Sequence, residues 1–312
     1  MEGQFQIFSG NSNLALANEI CQNLNVPLGR ALVGQFKNGE TRVRIEENVR
    51  GSDVFLIQSI CAPVNHHLME LLLMIDALRR ASASRITAVM PYYGYAKQEK
   101  KTAGREPISA KLVSNLITTA GVHRVLTLDL HAAAIEGFFD IPVDHLRAAP
   151  ILAERFKQMN PMNMVVVSPD TGGVNRANDF RERMGASLAI IAKQRPQPDV
   201  SEILEMVGEV KDKTAVIVDD MISTGGTLIE AADLLMERGA KEVYACATHA
   251  ILAGNSAELI RNSVVKKVVV TNTIPVSAEQ CNEKIEVLTV APLLAEAIQR
   301  IHKDLSLSTL FV

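Results

Sequence analysis

The sequence predicts an α/β protein of two similar domains, each with a parallel-rich sheet flanked by helices. Short runs rich in Val and Ile alternate with amphipathic helical patterns along almost all of the 312 residues. This order is typical of parallel strands that helices cover on both faces. In addition, V-L-T-L-D-L-H at 125–131 and A-V-I-V-D-D-M at 215–221 are both apolar runs that end in acids. The likeness between the two halves indicates a duplicated unit.

The Val- and Ile-rich runs predict eight strands, because short and nearly continuous apolar segments fit strands that are buried on both faces. In chain order the predicted strands are Val54–Gln58, Ile86–Met90, Val125–Leu128, Met164–Ser168, Leu188–Ile191, Ala215–Val218, Val243–Thr248 and Val268–Thr271.

Turn and capping residues predict the remaining elements. Asn38-Gly39 is a tight-turn signal between extended flanks and predicts a hairpin near the N-terminus. Capping residues and prolines predict helices that begin near Asn65, Pro107, Pro150 and Thr227. The helix from Pro107 is predicted to stop at Gly121, and the helix from Thr227 is predicted to end before Gly239. Since Pro150 opens a new helix, the two domains are predicted to span 1–147 and 148–312.

Composition excludes several classes of protein. The net charge of −3 argues against a general nucleic-acid binder, and no apolar run is long enough to cross a membrane. The N-terminal residues contain no basic region followed by an apolar stretch, so no secretory signal is expected, and the four cysteines form no C-x-x-C pair. Reduced thiols and a cytoplasmic location are therefore expected.

The segment Ala215–Leu228 carries the clearest chemistry. Its apolar strand ends in Asp219 and Asp220, and a loop of small and hydroxyl residues then leads into a helix. Carboxylates can hold a diol, while hydroxyls and glycine amides at a helix N-terminus can hold a phosphate. One helix cap would need only one such side chain. The segment therefore predicts a sugar-phosphate site formed by Asp219, Asp220, Ser223, Thr224, Gly225, Gly226 and Thr227.

Other polar groups follow the predicted strands, at the sheet edge where open α/β proteins bind ligands. Gln58, Asp129-Leu130-His131 and Ser168–Gly173, which includes Asp170, lie at such ends. Asp129 and His131 could both reach a metal–phosphate complex, and Asp170 could lie near a metal or a ribose. The alternatives are a histidine satisfied within its loop and an ordinary turn. The chain has no P-loop or zinc-site motif. With carboxylates, one histidine and phosphates as ligands, the expected ion is Mg²⁺, held largely by substrate oxygens and water.

Two stretches supply cations. Tyr95–Arg105 contains Lys97, Lys100, Lys101 and Arg105, which would suit a polyphosphate as well as a solvated loop. Lys193-Gln194-Arg195 opens a long polar stretch that would suit a lid or, nearly as well, a solvated linker.

Over nearly its whole length the chain resembles the ribose-phosphate diphosphokinase (phosphoribosyl pyrophosphate synthetase) family. The resemblance lies in an ordered series of motifs and is therefore highly specific. They are F-K-N-G-E, P-V-N-H-H-L-M-E, P-Y-Y-G-Y-A-K-Q, R-E-P-I-S-A-K-L-V, L-D-L-H-A, G-F-F-D-I-P-V-D-H-L, V-S-P-D-T-G-G-V, V-D-D-M-I-S-T-G-G-T-L and S-L-S-T-L-F.

The resemblance implies two phosphoribosyltransferase-like (type I) domains and a magnesium-dependent transferase of nucleotide biosynthesis, which makes phosphoribosyl diphosphate and AMP from ATP and ribose 5-phosphate. It implies a homo-oligomer, commonly a hexamer. By its motifs, Phe36, Asn38, Glu40, Lys97 and Gln98 would bind ATP, with the first three coming from a neighbouring subunit. His131 and Asp170 would organise Mg²⁺, Lys193 and Arg195 would act on the transferring diphosphate, and the 219–227 segment would hold ribose 5-phosphate.

The chain departs from the family pattern at four positions. Lys97, Glu99, Gln194 and Ser223 stand where the family usually has Arg, Asp, Arg and often an acid. Lys97 keeps the positive charge but not the planar guanidinium, which could change the nucleotide preference. The departures at Lys97 and Gln194 leave open a non-catalytic regulatory paralogue. Because phosphoribosyltransferases share the phosphate loop, a phosphoribosyltransferase is a further alternative.

Overall fold

A computed structural model describes residues 5–194 and 203–310. The chain divides into two compact units. Unit 1 contains the chain up to Arg147, Thr273–Pro275 and the residues from Thr289 onward, and unit 2 contains Ala148–Asn272 and Val276–Leu288. No helix in the described part of the chain has the length and apolar character needed to cross a membrane.

Unit 1 is built on a five-stranded parallel sheet with helices on its faces. The strand order is β1-β4-β5-β6-β7, and β2 and β3 form a separate antiparallel hairpin. Its elements up to Arg147, in chain order, are β1 (Phe5–Ser9), α1 (Leu14–Leu24), β2 (Ala31–Gln35), β3 (Thr41–Ile45), β4 (Asp53–Ile57), α2 (Val64–Arg80), β5 (Arg85–Met90), α3 (Ser109–Ala120), β6 (Arg124–Leu128), a 3₁₀ turn (Ala133–Phe138) and β7 (Val143–Leu146). A C-terminal helix and a 3₁₀ turn (Ser308–Leu310) complete unit 1.

Unit 2 is built on a seven-stranded sheet in the order β10-β9-β8-β11-β12-β13-β14. Its neighbours pair in parallel except for β9 and β10, which are antiparallel. The elements are α4 (Ala149–Met159), β8 (Met164–Ser168), α5 (Val174–Met184), β9 (Ser187–Gln194), β10 (Ile203–Val207), β11 (Thr214–Ile222), α6 (Gly226–Glu237), β12 (Glu242–Ala250), α7 (Ser256–Asn262), β13 (Lys267–Thr271) and β14 (Ile285–Leu288).

Each sheet has its own apolar core, which confirms the predicted fold class. In unit 1, all five residues of β4 are buried, as expected for a central strand with helices on both faces. In unit 2, β8 and β11 pair in register from Met164↔Thr214 to Val167↔Ile217. Their carboxyl ends therefore meet at one edge of the sheet, where the polar residues after each strand lie.

The C-terminal helix differs from the predicted division at 147/148, which assigned all of 148–312 to one domain. Helix α8 (Ala291–His302) belongs to unit 1. It packs its apolar face against α1, and its end is held by Arg85, which donates to the Ile301 carbonyl at 3.0 Å. His302 also lies 2.7 Å from Asp53. The hydrophobic face of α8 is visible in the sequence, but the pattern alone does not tell which sheet it covers.

All eight predicted strands and the hairpin are present, and the helix ending at Gly121 is confirmed. The predicted cap at Asn65 is wrong. Helix α2 already begins at Val64, after Pro63, and the Asn65 side chain instead accepts a hydrogen bond from the Tyr95 hydroxyl. Pro107 lies two residues before α3 rather than in its first turn, whereas Pro150 lies in the first turn of α4 as predicted.

Candidate active site

Unit 2 holds its two adjacent acids inside a strand. β11 continues past the predicted end at Val218 to Ile222, so Asp219 and Asp220 are strand residues paired alongside β12. The Asp219 side chain is 27% exposed and that of Asp220 only 3%. The Asp220 backbone N–H donates to Asp219 Oδ1 at 2.8 Å, which orients the Asp219 carboxyl group.

Arg176, which the sequence analysis did not select, contacts both acids. Its Nη1 lies 3.2 Å from Asp219 Oδ1 and 3.5 Å from Asp220 Oδ1. The residue lies in the first turn of α5, directly after the D-T-G-G loop. A single arginine in the first turn of a helix is common on protein surfaces, so the sequence does not indicate a role for Arg176. Its contact with the two acids becomes visible only because α5 packs beside the end of β11 in the fold.

The acid pair is electrostatically unfavourable without a ligand. Burial raises the pKa of Asp219 well above its ordinary value, and the neighbouring Asp220 carboxyl raises it further, while Arg176 acts in the opposite direction. The two close carboxyl groups repel each other, and Arg176 offsets part of this repulsion. A ligand that donates hydrogen bonds, such as a sugar diol, would relieve this repulsion.

The loop after β11 leads into the bare N-terminus of α6. Gly225 precedes the helix with a φ of +82°, a conformation that favours glycine, and no side chain caps the first turn. Thr224 and Thr227 are exposed, and Ser223 is half-buried. A Cβ at Gly226 would meet no atom within 4 Å. Packing within the protein therefore does not require glycine at 226, whereas a bound anion close to the backbone would.

The D-T-G-G loop after β8 lies beside this site, since β8 pairs with β11. Asp170 is half-buried, and its Oδ1 accepts a hydrogen bond from the Gly173 N–H at 2.8 Å. A Cβ at Gly173 would lie 3.0 Å from Ser168 Oγ and 3.5 Å from Arg176 Nη1. The close packing at Gly173 brings the start of α5, and with it Arg176, toward the acids.

In unit 1, the D-L-H loop after β6 is held by a buried histidine that the sequence analysis also did not select. His145 Nε2 accepts the Leu130 N–H at 2.8 Å, and its Nδ1 bonds to Glu136. Burial lowers the pKa of His145 and Arg147 lowers it further, against the opposite effect of Glu136 and Asp129. Asp129 has a φ of +35° and is buried, whereas the His131 side chain is exposed.

The cation-rich stretch of unit 1 is an ordered loop. The Glu106 carboxylate accepts hydrogen bonds from the Thr102 and Ala103 N–H groups at 2.7 and 2.9 Å, which lower its pKa. The Lys97 side chain is exposed. By contrast, Gln98 is half-buried and its Oε1 accepts from the Ser109 hydroxyl, so part of its hydrogen-bonding capacity serves the start of α3.

The hairpin presents an aromatic side chain at its tip. Phe36 is 50% exposed, and the Arg42 guanidinium lies 5.5 Å from its ring centroid. Asn38 Oδ1 accepts the Glu40 N–H at 3.2 Å, and Gly39 has a φ of +90°. The turn is thus fixed while Phe36, Asn38 and Glu40 stay accessible, as a binding surface requires.

The predicted lid stretch is described only at its start. Lys193 and Gln194 end β9, which is longer than the predicted Leu188–Ile191, and they pair through their backbones with Leu204 and Ile203. The antiparallel return strand β10 was not predicted. Arg195 lies outside the described residues.

Within residues 5–194 and 203–310, no group of three or more His, Cys, Asp or Glu side chains is arranged to hold a metal ion. The donors predicted for Mg²⁺ are an exposed histidine, His131, and a half-buried carboxylate, Asp170. Such sparse ligation fits an ion that substrate phosphates and water largely coordinate, and it does not fit a closed protein cage.

Comparison with known proteins supplies the family. Residues 5–121 match the N-terminal domain of ribose phosphate pyrophosphokinase, and residues 193–312 match the phosphoribosyl synthetase-associated domain. A ribose-phosphate pyrophosphokinase from Clostridium tetani (strain Massachusetts / E88) is 55% identical over 309 residues, which cover 98% of this chain and 97% of the relative. The chain belongs to the ribose-phosphate pyrophosphokinase family.

Other members agree over the full length. A family member from Oceanobacillus iheyensis is 53% identical, covering 99% of this chain and 98% of its own. The crystal structure of phosphoribosylpyrophosphate synthetase from Mycobacterium smegmatis superposes with a TM-score of 0.92 at 43% identity, covering 96% of this chain and 99% of that one. The fold of both units is therefore the fold of the family.

Proposed function

We propose that the protein is a ribose-phosphate diphosphokinase. The ribose 1-hydroxyl attacks the β-phosphorus of ATP, the bond between that phosphorus and the oxygen bridging to the α-phosphate breaks, and AMP leaves. The products are 5-phosphoribosyl 1-diphosphate and AMP. The observation that carries this proposal is the end of β11, where an acid pair and an uncapped helix N-terminus adjoin in a chain that matches the family throughout.

The acid pair and the helix N-terminus suit the two ends of ribose 5-phosphate. Asp219 and Asp220 would accept hydrogen bonds from the ribose hydroxyls, and the Thr224–Thr227 segment would hold the 5-phosphate through backbone N–H groups and hydroxyls. Arg176 would keep the two carboxylates oriented when no sugar is bound. With the sugar fixed at both ends, its 1-hydroxyl is oriented as a nucleophile.

Two parts of unit 1 are proposed to bind the nucleotide, the tip of the hairpin and the cation-rich stretch Tyr95–Arg105. Phe36, Asn38 and Glu40 would recognise the adenine from a neighbouring subunit, and Lys97 and Gln98 would contact the nucleotide. The half-exposed Phe36 ring supports this proposal, because an aromatic side chain at a hairpin tip is suited to stacking on a base.

Charge neutralisation completes the proposed mechanism. Mg²⁺, when bound, would neutralise phosphate charge, with His131 and Asp170 as the candidate protein donors. Lys193 and Arg195 would contact the transferring diphosphate, where added positive charge stabilises the transition state. We further propose that the protein is a homo-oligomer. We also propose a cytoplasmic location, which fits the four free cysteines.

The direct test is incubation with ATP, ribose 5-phosphate and Mg²⁺, with AMP measured over a range of pH and phosphate concentration. Stoichiometric AMP and phosphoribosyl diphosphate are expected. Diphosphate release with a nucleobase and without ATP would instead indicate a phosphoribosyltransferase. Inactivity alone, combined with co-purification with an active homologue, would indicate a regulatory paralogue.

Gly226→Ala tests the phosphate loop without disturbing the fold, since its Cβ would meet no protein atom within 4 Å. We expect the KM for ribose 5-phosphate to rise at least tenfold, because a methyl group would hold the phosphate away from the amides, at a loss of about 1.4 kcal/mol or more. Gly137→Ala is the control, since a Cβ there also meets nothing within 4 Å. An unchanged KM in Gly226→Ala would exclude this loop as the phosphate site.

A further inference from the structure

Gln58, which the sequence placed among the polar groups at strand ends, lies in a closed polar network and is fully buried. Its Oε1 accepts the Ser12 hydroxyl at 2.8 Å, and its Nε2 donates to Glu70 Oε2 at the same distance. A Cβ at Gly10 would lie 2.4 Å from Gln58 Oε1, so the network leaves no space even for an alanine. Gln58 therefore acts inside unit 1 and does not face a ligand.

The centre of this network is Glu70 on α2, which has no exposed surface. Its Oε1 lies 3.1 Å from His66 Nε2 and accepts Asn11 Nδ2 at 2.6 Å. Its Oε2 accepts Gln58 Nε2 at 2.8 Å and the Asn11 backbone N–H at 3.2 Å. Both oxygens thus have two donors each, which is how a carboxylate can be buried at acceptable cost.

Two of these donors continue to the hairpin. His66 Nδ1 lies 3.2 Å from Gln35 Nε2, and Asn11 Nδ2 also donates to the Val33 carbonyl at 3.2 Å. With Gln35 donating to Nδ1, His66 carries its proton on Nε2 and donates it to Glu70. Gln35 is the last residue of β2 and directly precedes Phe36. The buried carboxylate is therefore connected to the hairpin one residue from its tip.

We propose that Glu70, acting through His66 and Asn11, positions the β2–β3 hairpin for nucleotide binding. This inference rests on the proposed role of Phe36, Asn38 and Glu40 in binding ATP. Apolar packing of Val33 and Val43 on the core holds the hairpin against unit 1, but apolar contacts are not directional. The two hydrogen-bonded connections fix the position of β2 along α2, and so the place of the tip. Glu70, His66 and Asn11 are not among the residues proposed to contact the nucleotide, so their proposed role is positioning.

The test uses the outer part of the network, because replacing Glu70 itself would endanger folding. Gln35→Met and His66→Leu each remove the hydrogen bond between Gln35 and His66. Gln35→Met keeps the side-chain length, and His66→Leu keeps a residue suited to a helix. Each should raise the KM for ATP roughly five- to tenfold, the effect of about one hydrogen bond. The kcat and the KM for ribose 5-phosphate should change little in either variant. The melting temperature should change little in Gln35→Met, whereas His66→Leu also removes a donor to Glu70 and should lower it modestly. In the double variant the effects should be less than additive, since both residues belong to one connection.

Arg44→Met is the matched control. Arg44 lies on the same hairpin, with 63% of its side chain exposed, and pairs with Glu46 rather than with α2. Its variant should keep the parental KM for ATP. A fall in melting temperature together with equal losses in every kinetic parameter of His66→Leu would show a merely structural role and overturn the proposal.

Phe36→Ala distinguishes nucleotide binding by the hairpin from positioning of the hairpin by the Glu70 network. If Phe36→Ala raises the KM for ATP but Gln35→Met and His66→Leu do not, positioning by the network is wrong and the hairpin's role stands. If Phe36→Ala also leaves the KM for ATP unchanged in an active enzyme, the hairpin does not bind the nucleotide and both ideas fail. AMP formation in the parent protein is the independent check on the reaction itself.

Discussion

Two carboxylate sites in this protein, Glu70 in unit 1 and Asp219–Asp220 in unit 2, are built in opposite ways. Glu70 has no exposed surface, and four donors surround its two oxygens. Asp219 is partly exposed, lies against a second carboxyl group, and has a raised pKa. Both are acids in the interior of an α/β unit, yet only the second is left with unfavourable electrostatics.

The contrast separates a structural acid from a ligand-binding one. A carboxylate whose oxygens are saturated by protein donors has little capacity left for a substrate. An acid pair held close together with one shared guanidinium gains from any ligand that brings further hydrogen-bond donors. Burial alone therefore does not mark a functional acid, whereas burial combined with electrostatic repulsion does.

The largest expected effect is on stability, at the structural acid. Glu70→Gln keeps the shape but turns an NH₂ group toward two of the four donors, so the urea midpoint should fall by the equivalent of about 2–6 kcal/mol, at roughly 1–3 kcal/mol for each unsatisfied donor. Asp76→Asn on the same helix is the control, since its exposed pair with Arg80 should contribute less than about 1 kcal/mol. Equal midpoints for the two variants would contradict the structural role of Glu70.

The next effect is on binding, at the acid pair. Asp219→Asn should raise the KM for ribose 5-phosphate about 10- to 100-fold, because hydrogen bonds to a charged group contribute roughly 1.5–3 kcal/mol. Its urea midpoint should not fall, since the substitution removes a repelling charge. Asp212→Asn, at a turn just before the same strand, should keep the parental KM and serves as the control. An unchanged KM in Asp219→Asn would remove this residue from the site.

The smallest effect is a pH dependence of stability. Because the folded-state pKa of Asp219 is raised, the folded protein binds more protons than the unfolded chain between the two pKa values. Stability contributed by this group is therefore lost as pH rises from about 4, the ordinary pKa of Asp. The melting temperature of Asp219→Asn, relative to the parent, should increase as the pH rises from about 4 toward the raised pKa of the folded state. Parallel melting curves at all pH values would contradict the raised pKa.

Central and edge strands show how much of the fold the sequence could predict. The eight predicted strands all lie inside the two sheets, where burial on both faces demands a continuous apolar run. The four that were missed, β1, β7, β10 and β14, are the edge strands of the two sheets. Their sequences mix polar residues into short runs, such as V-D-H-L in β7, because one side of an edge strand is not enclosed.

The candidate site likewise contains residues that the sequence indicates and residues that only the fold reveals. Asp219, Asp220 and the glycines of the loop after β11 could be selected from sequence because several unusual residues stand next to each other in the chain. Arg176 and His145 could not, since each is a single residue on another element and matters only through what it meets in space. The same holds for Glu70, whose partners come from three separate segments of unit 1.

The sequence by itself determined the alternating α/β order, the central strands, the hairpin turn and the residues of the sugar-phosphate loop, because these features depend on neighbours along the chain. Only the tertiary structure decided that α8 joins unit 1, that β11 carries its two acids inside the strand, and that Arg176 lies against both. It also decided that Gln58 is a buried partner of Glu70. Packing and electrostatic interactions act between residues that are distant in sequence, and a local sequence pattern does not indicate which of these residues come into contact.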